Sequence, residues 1–380
     1  MEYRKVTEGT TTLEVPIQDE NSAFPPSTAD IFYNNVMELN RDITVLLTSF
    51  LKPEEYLDAM SATGIRGLRI ANETNTPTIL NDNDPKSVEL INRNAETINK
   101  STRVICDDAN HLMCSERFDA IDIDPFGTPI PFLDAASRSA KRYLFVTATD
   151  TAPLCGAHLN AGKRRYFSNP RNTEYHSEVG LRILMATIAR ELVKYDRGML
   201  PLLSFAKDHY FRSHINVIAG VKGAEATMDN IGFIMQCKHC LYRTEQKGIL
   251  LPTPHTCPIC NSNTVPIGPL WVGPLQNKKV VLSLIQLLPN TQFKTVNQMD
   301  KLFNQLLQEP DTSSFYDYHI ISRYLRVSPP PIYDLISELH ALGYIDTVRT
   351  HFSLTGIKTS APLQIIQDLI LNWTKNKKDN

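Results

Sequence analysis

This 380-residue sequence lacks an excess of one charge, a long apolar run and a bias towards Gly or Pro. Its 39 Lys and Arg against 41 Asp and Glu give a formal charge of −2, so any polyanionic partner must meet local basic patches. The most apolar stretches, such as 199–206 and 280–288, are far shorter than the roughly 20 residues that span a membrane. The amino terminus does not resemble a secretion signal. With 16 Gly and 24 Pro, the composition indicates a globular protein without membrane insertion.

Cysteine is also sparse and unevenly placed. Four of the seven cysteines fall in a C-x2-C-x16-C-x2-C pattern: Cys237, Cys240, Cys257 and Cys260. This spacing predicts a four-thiolate zinc site in a reducing cytoplasm, and a closed site of this kind is structural. His239 and His255 lie in the same segment and are weaker candidates to replace one of the cysteines. A redox role for the two pairs is a minor alternative.

Short apolar runs alternate with amphipathic stretches from residue 53 to residue 219. The runs predict strands at 56–59, 78–80, 103–105, 120–123 and 143–146. The stretches between them predict helices at 64–73, 84–99, 108–115 and 128–140. This alternation is typical of a doubly wound, largely parallel sheet.

The pattern changes after the fifth predicted strand. A long helix is expected at 174–195, two more strands at 200–205 and 214–219, and a Pro- and Gly-marked connector at 266–274. The last hundred or so residues look mostly helical. We therefore predict three domains, at 1–230, 231–274 and 275–380.

Three polar segments are expected to meet at one edge of the sheet. Residues 57–67 run from a strand through a small-residue turn into a helix, Asp82 ends the second strand, and residues 106–110 end the third. An acidic residue at the position of Asp82 can bind a ribose diol. The turn has only two glycines, Gly64 and Gly67, so it does not form the G-x-G-x-x-G motif of NAD-binding proteins. A nucleoside-type cofactor is favoured over a plain strand-to-helix turn.

The fourth predicted strand ends in Asp124, Pro125, Phe126 and Gly127. Together they supply a hydrogen-bond acceptor, a stiff backbone and a flat stacking surface. This combination suits methylation of an exocyclic base amine, which is a poor nucleophile and must be aligned and deprotonated. The simpler alternative is that Asp124 caps the next helix.

These segments resemble the tRNA (guanine-26-N2)-dimethyltransferase family. The matching segments are 40–42, 58–67, Asp82, 107–110, 124–127, 147–150, 152–156, 207–212, 349–352 and 355–359. The resemblance covers almost the whole chain. It implies a Rossmann-like α/β class I methyltransferase domain, to which we add a zinc-binding insert and a smaller, mostly helical carboxyl-terminal domain.

The resemblance also implies a cofactor, a substrate and a site. The cofactor would be S-adenosylmethionine, and the residues that would bind it are Arg41, Arg66, Asp82, Asp108 and Ala109. Asp124 would be the acidic residue at the target amine, with Phe32 and Phe126 beside the flipped guanine. The partner would be tRNA, and we expect a cytoplasmic monomer. Without the family, a surface ion pair of Arg41 with Asp42 or Glu38 would be the simpler interpretation.

Two further segments are candidates for RNA contact. Residues 162–171 form a basic stretch with interleaved aromatics, expected as a loop near the crevice; a solvated loop is the alternative. Near the carboxyl end, two short helices and a hairpin-like stretch at 344–353 suggest a winged helix, with Arg349, His351 and Lys358 as residues to test.

Three other functions remain open from the residues alone. An NAD-dependent oxidoreductase shares the sheet but needs a fuller glycine turn. A zinc nucleobase deaminase is suggested by His176-Ser177-Glu178 and the second cysteine pair, although these lie about 80 residues apart and Pro does not precede the pair. A non-catalytic RNA-binding protein would leave the predicted cofactor crevice unused.

Overall fold

Strands and helices alternate through the first half of the chain in the computed structural model, which describes residues 2–17, 31–98, 100–250, 253 and 256–376. The strands are β1 Tyr3–Glu8, β2 Thr11–Pro16, β3 Tyr56–Asp58, β4 Thr78–Asp82, β5 Thr102–Cys106, β6 Ala120–Ile123, β7 Tyr143–Ala148, β8 Arg197–Lys207, β9 Tyr210–Ala219, β10 Ile231–Cys237, β11 Arg243–Lys247, β12 Thr264–Trp271, β13 Tyr316–Asp317, β14 Val348–Arg349 and β15 Gly356–Lys358. The helices are α1 Glu38–Leu51, α2 Ile65–Thr74, α3 Pro85–Glu96, α4 Ala109–Ser115, α5 Ile130–Ser139, α6 Thr151–Leu154, α7 Leu159–Tyr166, α8 His176–Val193, α9 Val221–Met228, α10 Lys278–Leu287, α11 Val296–Gln308, α12 Tyr318–Leu325, α13 Ile332–Ala341 and α14 Leu363–Asn376. Short 3-10 turns occupy Asn35–Met37 and Leu288–Asn290.

A seven-stranded sheet has the order β5-β4-β3-β6-β7-β9-β8. Its first five strands pair in parallel, and β3 and β6 are buried throughout because helices cover both faces of such a sheet. All five strands predicted between residues 56 and 146 are present, as are the helices predicted between them. The predicted α/β fold class is therefore confirmed.

Local sequence explains where several helices start and stop. Asp84 accepts the Lys86 N–H at 3.0 Å, and Pro85 begins α3 without an unsatisfied N–H. α1 ends at Leu51, because the next residue, Lys52, adopts the left-handed conformation and Pro53 follows it. These local rules explain why the predicted helix boundaries lie within a few residues of those observed.

The chain divides into two compact units. The first contains 1–148, 212–218 and 279–303, and the second contains 149–211, 219–278 and 304–380. The predicted domains 1–230, 231–274 and 275–380 follow sequence order, whereas each unit collects separate stretches of chain. The three-domain division remains a prediction.

The predicted connector at 266–274 is mostly strand. β12 pairs antiparallel with β10, and the three-stranded sheet has the order β11-β10-β12. Pro266 and Pro269 fit because β12 is an edge strand, where a missing N–H need not break a ladder. The prolines and glycines suggested a loop because they disfavour central strands, but the sequence does not show that this strand lies at an edge.

The carboxyl-terminal part of the second unit is mostly helical, as expected. It also holds a small sheet of order β13-β15-β14 beside α12, α13 and α14. A winged-helix assignment for these elements stays a prediction. Within the described ranges, no helix has both the length and the apolar character needed to cross a membrane.

Candidate functional site

The site lies where the strand order reverses. From β3 the chain continues to β4 and β5 on one side, whereas β6 and β7 lie on the other. In the register of β3 and β6, Asp58 is the partner of Asp122. The carboxyl ends of β3 and β6 therefore lie next to each other at a topological switch point, which is where open α/β sheets bind ligands.

The turn after β3 has an unusual backbone that is fixed by Asp82. Ala62 and Gly64 both have positive φ, of 49° and 79°, and for Ala62 this conformation is unfavourable. The Asp82 carboxylate compensates by accepting the Ala62 N–H at 2.8 Å and the Asp84 N–H at 3.0 Å. Burial raises the pKa of Asp82, and these N–H groups oppose the rise.

Two other residues hold the strand ends together. The Asn81 amide donates to the carbonyl oxygens of Ala59 and Asp107, at 3.1 Å each. Its oxygen Oδ1 is buried and has no hydrogen-bond partner among the described residues. Gly67 allows α2 to approach β4, because a Cβ there would lie 2.9 Å from Cδ2 of Leu80. The turns after β3, β4 and β5 thus form one rigid edge.

Asp108 and Ala109 begin the helix after β5. Asp108 is exposed and its Oδ1 accepts the N–H groups of Asn110 and His111, at 2.9 and 3.1 Å. Ala109 is buried in the first turn of α4. The structure therefore places both residues at the same edge as Asp82, since Asp82 pairs in register with Cys106.

Arg66 connects this edge with the loop after β6. Its Nη2 contacts Oδ2 of Asp124, and its Nη1 donates to Asn40 Oδ1 at 2.9 Å and to Thr44 Oγ1 at 3.0 Å. The side-chain nitrogen of Asn40 is a buried donor that lacks an acceptor among the described residues. A cationic group and an unused N–H donor therefore lie side by side, which suits a carboxylate.

Arg41 is buried and pairs with Glu8. Its Nε and Nη2 donate to the two Glu8 oxygens at 2.8 and 2.5 Å, and Nη2 also contacts the Asn34 carbonyl oxygen. The alternative of a surface ion pair with Asp42 or Glu38 is therefore wrong. Glu8 lies 33 residues before Arg41 and is the last residue of β1, a strand that the sequence pattern did not predict.

Two aromatic rings stand beside Asp124. The Phe32 and Phe126 ring centroids are 4.2 Å apart with an interplanar angle of 74°. Phe126 is 69% exposed, although Phe side chains are usually buried. The Asp124 side chain is 19% exposed. The structure thus brings together the three residues predicted to act at the target base.

Asp122 and Arg212 are structural partners of the site that the sequence analysis did not assign. Arg212 is completely buried, and it donates to both oxygens of Asp122, which also accepts the Tyr56 hydroxyl. Thr44 accepts from Arg212 at 3.0 Å as well as from Arg66. A buried acid between Ile121 and Ile123 was the available signal, because such a charge needs a partner.

The four cysteines gather in the second unit. Their sulfur atoms all lie within 4.8 Å of one another, and the Cys237–Cys260 and Cys240–Cys257 sulfur distances are 3.4 and 3.5 Å. These separations exceed a disulfide bond and fit ligands of one ion. His239 is not part of the group, and His255 lies outside the described residues.

Other candidates are placed differently from expectation. Residues 162–166 of the basic segment belong to the helix α7 instead of a loop. The side chains of His351 and Lys358 are buried and contact acidic residues in their own unit, so neither side chain is free to contact RNA.

Comparison with known proteins gives a single consistent result. The family model for N2,N2-dimethylguanosine tRNA methyltransferase matches residues 9–371. A tRNA (guanine(26)-N(2))-dimethyltransferase from Methanocorpusculum labreanum is 60% identical over 373 residues, covering 98% of both chains. The corresponding protein of Methanoculleus marisnigri is 50% identical and covers 97% of this chain and 99% of its own.

A solved structure agrees with these relatives. Trm1 from Pyrococcus horikoshii, in complex with S-adenosyl-L-methionine, has 38% sequence identity and a TM-score of 0.87, covering 97% of this chain and 99% of that one. The resemblance inferred from the residues is thereby confirmed. Because both its sequence and its fold match over nearly their full length, this chain belongs to the N2,N2-dimethylguanosine tRNA methyltransferase family.

Proposed function

We propose that this protein transfers methyl groups from S-adenosylmethionine to the exocyclic N2 of guanine 26 in tRNA, in two successive steps that give N2,N2-dimethylguanosine. Family membership and the relatives' shared activity support the reaction and the nucleotide. We further propose that the protein acts as a monomer in the cytoplasm. The observation that carries the proposal is the partly exposed carboxylate of Asp124 two residues before the exposed Phe126, whose ring contacts that of Phe32.

Asp124 is assigned to the guanine amine. Arg66 contacts its Oδ2, so we assign Oδ1 to accept an N–H of the amine, orient its lone pair and help remove its proton. Phe32 and Phe126 would hold the flipped base by stacking, which offsets the few kcal/mol that unstacking costs. After the first transfer the amine keeps one N–H, and Oδ1 of Asp124 would accept that N–H in the second transfer.

The residues at the sheet edge fit S-adenosylmethionine. Asp82 would hold the ribose diol, with the lone pairs that its two backbone bonds leave available. Asp108 and the Ala109 N–H would contact the adenine. Arg66 and Arg41 would bind the methionine carboxylate, assisted by the unused Asn40 donor. When bound, this cofactor supplies an electrophilic methyl group on sulfur, and the protein aligns the amine with it and excludes water.

We propose that the four cysteines hold zinc in a structural role. A site with four thiolates leaves no position for water or substrate. All four sulfur atoms lie in the second unit, whereas Asp124 and the predicted cofactor residues lie in the first. Methyl transfer from a sulfonium to the amine is a direct displacement, so it would need no metal.

A paired set of variants tests the residue roles. Asp124→Asn should lower turnover by about 10²–10⁴-fold, the usual contribution of a positioned base, while S-adenosylmethionine Kd changes little. Asp82→Asn should instead raise that Kd, because it removes a carboxylate oxygen from the ribose. Glu116→Gln, an exposed acid paired with Arg103, is the matched control and should change neither value.

The reaction itself is tested by mass spectrometry of digested nucleosides. Purified protein, S-adenosylmethionine and an unmodified tRNA transcript with guanine 26 should yield N2-methylguanosine and N2,N2-dimethylguanosine. A transcript with adenine at that position should yield neither. If wild-type protein binds the cofactor but modifies another guanine, the nucleotide assignment fails; if it binds NAD instead, the oxidoreductase alternative replaces the proposal.

A further inference from the structure

Phe167 is the most solvent-exposed aromatic side chain among the residues that the structure describes. It is 76% exposed, compared with 69% for Phe126 and 66% for Tyr333. It follows the last residue of α7, Tyr166, which is completely buried. The chain therefore buries one ring and presents the next to solvent, so the exposure of Phe167 does not result from a lack of nearby core.

The backbone at Phe167 is both strained and firmly held. Its φ is +46°, a left-handed conformation that Gly or Asn adopts far more readily than a bulky residue. Its N–H donates to the Lys163 carbonyl at 3.1 Å, and Arg190 donates to the carbonyl oxygen of Tyr166 at 2.6 Å. A Gly would adopt the same backbone conformation without strain. The Phe167 ring is too exposed to compensate for that strain by packing in the core.

The next two residues are anchored to a strand. Ser168 donates to the Pro269 carbonyl at 3.1 Å, and the side chain of Asn169 donates to the Pro266 carbonyl at 2.7 Å. The Asn169 N–H also donates to the Gly268 carbonyl, at 2.7 Å. Phe167 thus lies between a helix end and a strand, and these hydrogen bonds hold the backbone that carries its ring before any partner binds.

Basic residues flank Phe167 on both sides along the chain. Lys163, Arg164 and Arg171 are exposed, and their side chains form no hydrogen bond or ion pair with other described residues. Arg165 differs, because it pairs with Asp150 at 3.2 Å. Three unpaired cations within four residues of Phe167 along the chain are notable in a protein whose formal charge is −2.

A cavity with a mixed apolar and polar lining adjoins the basic segment at Arg171. It has a volume of about 400 Å³, and its lining includes Arg171, Asn172, Gln236 and Lys238. Arg171 thus belongs both to the exposed basic segment and to a concave surface with hydrogen-bonding groups. Such a combination of cations and amides suits phosphate and sugar oxygens.

We propose that Phe167 is a stacking platform for a tRNA nucleobase other than the methylated guanine, with Lys163, Arg164 and Arg171 binding the adjoining phosphates. The inference rests on the proposed function, since it takes tRNA as the substrate. Proteins recognise unpaired RNA by stacking bases on exposed aromatic rings while basic side chains contact the backbone. An acidic protein partner would satisfy the cations but gives no reason for a strained, flat and exposed ring.

The test compares variants at position 167 by their affinity for an unmodified tRNA transcript, measured by fluorescence anisotropy. Phe167→Ala and Phe167→Gly should raise the Kd about 5- to 150-fold, the range that loss of one stacked base gives. Phe167→Tyr should remain within about threefold of wild type. The Gly variant relieves the left-handed strain, so it separates loss of the ring from loss of folding. Leu200→Ala, which truncates another exposed apolar side chain (43%) of the same unit, is the matched control and should not alter the Kd.

Salt dependence tests the phosphate contacts separately. Lys163→Ala and Arg164→Ala should each reduce the slope of log affinity against log salt by about 1, whereas Phe167→Gly should leave the slope unchanged. Wild-type slopes in both charge variants would overturn the phosphate assignment. Wild-type tRNA affinity in both Phe167→Ala and Phe167→Gly would overturn the platform.

Failure of this inference can be distinguished from failure of the proposed function. If wild-type protein methylates tRNA and the Phe167 variants keep its KM and Kd, only the platform is refuted. If wild-type protein neither binds nor methylates tRNA, the proposed function fails as well. Loss of self-association in the variants without loss of tRNA binding would identify the ring as a contact between two copies and overturn the inference.

Discussion

Arg212 and Asp122 form a completely buried, two-pronged ion pair beneath the candidate site. Nη1 of Arg212 lies 2.8 Å from Oδ1 of Asp122, and Nη2 lies 2.5 Å from Oδ2. Arg66 approaches the same carboxylate, with Nη1 at 3.8 Å from Oδ2. These two cations hold the pKa of Asp122 well below its usual range although burial alone would raise it. The negative charge of Asp122 therefore helps to position Arg66, the arginine that contacts Asp124.

Arg212→Met should destabilise the fold by about 3–5 kcal/mol, because it leaves a buried carboxylate without its main partner. The measurement is the free energy of unfolding in urea. Adding Asp122→Asn to this variant should recover part of the loss, since the remaining group is then neutral. Arg103→Ala breaks an exposed pair with Glu116 and should cost less than about 1 kcal/mol; equal losses in both arginine variants would contradict the argument.

Asp58 should make the protein less stable as pH rises. Burial, partly opposed by Arg66 and reinforced by Asp122, raises the pKa of Asp58 from 3.8 to about 7. The folded state then binds this proton more tightly than the unfolded state, so its stabilising effect is complete below pH 3.8 and is lost as pH rises to about 7. At about 1.4 kcal/mol per pKa unit, the loss is up to about 4 kcal/mol.

Asp58→Asn should remove this pH dependence, because the amide resembles the neutral acid and can still accept the Gly67 N–H. Unfolding free energies at pH 4 and pH 8 provide the measurement. The variant should match wild type at pH 4 and exceed it at pH 8. Parallel pH profiles for the two proteins would show that folding does not raise the pKa of Asp58.

The sequence predicts local structure and strand-end chemistry well and distant pairing poorly. Asp124 and Phe126 lie at the predicted edge of the sheet because parallel strands bring their carboxyl ends to a common edge. The partners of Arg41 and Asp122 could not be predicted, since Glu8 and Arg212 lie 33 and 90 residues away and no local pattern sets that pairing. β12 could not be predicted either, because its prolines are compatible with a strand only at a sheet edge. Its edge position depends on pairing with β10, which no local pattern shows.

Glu309 should stabilise the second unit at neutral pH. It accepts the His351 backbone N–H at 2.6 Å and contacts His351 Nδ1 at 2.8 Å, and Lys358 Nζ lies 3.9 Å away. Although burial raises the pKa of Glu309, these partners outweigh it and lower the pKa from 4.5 to about 2. The resulting stability is present above pH 4.5 and is lost as pH falls towards 2.

Glu309→Gln should therefore reduce the free energy of unfolding by roughly 3 kcal/mol at pH 7, from about 1.4 kcal/mol per unit of pKa shift. Urea unfolding monitored at pH 7 and pH 3 measures the change, and the gap between variant and wild type should narrow at the lower pH. Asp346→Asn, which alters an acid whose bonds to Ser360 are exposed, serves as the control. A gap that stays constant with pH would mean that the carboxylate charge does not produce the stability.

The cysteine cluster leads to a prediction that does not depend on enzyme activity. Protein purified with zinc should contain about one zinc ion per chain by elemental analysis. Cys257→Ser should lose most of it, because Cys257 is completely buried among the other three thiols and Ser is a poor zinc ligand. Cys106→Ser changes an exposed cysteine outside the cluster and should keep the full zinc content.

The same ion should also stabilise the fold. Since a structural ion contributes folding free energy, Cys257→Ser and chelator-treated wild type should unfold at similarly reduced temperatures. Chelation that removes zinc without lowering the unfolding temperature would refute the structural role, whereas methyl transfer that survives chelation below that temperature would support a catalytic centre that works without metal.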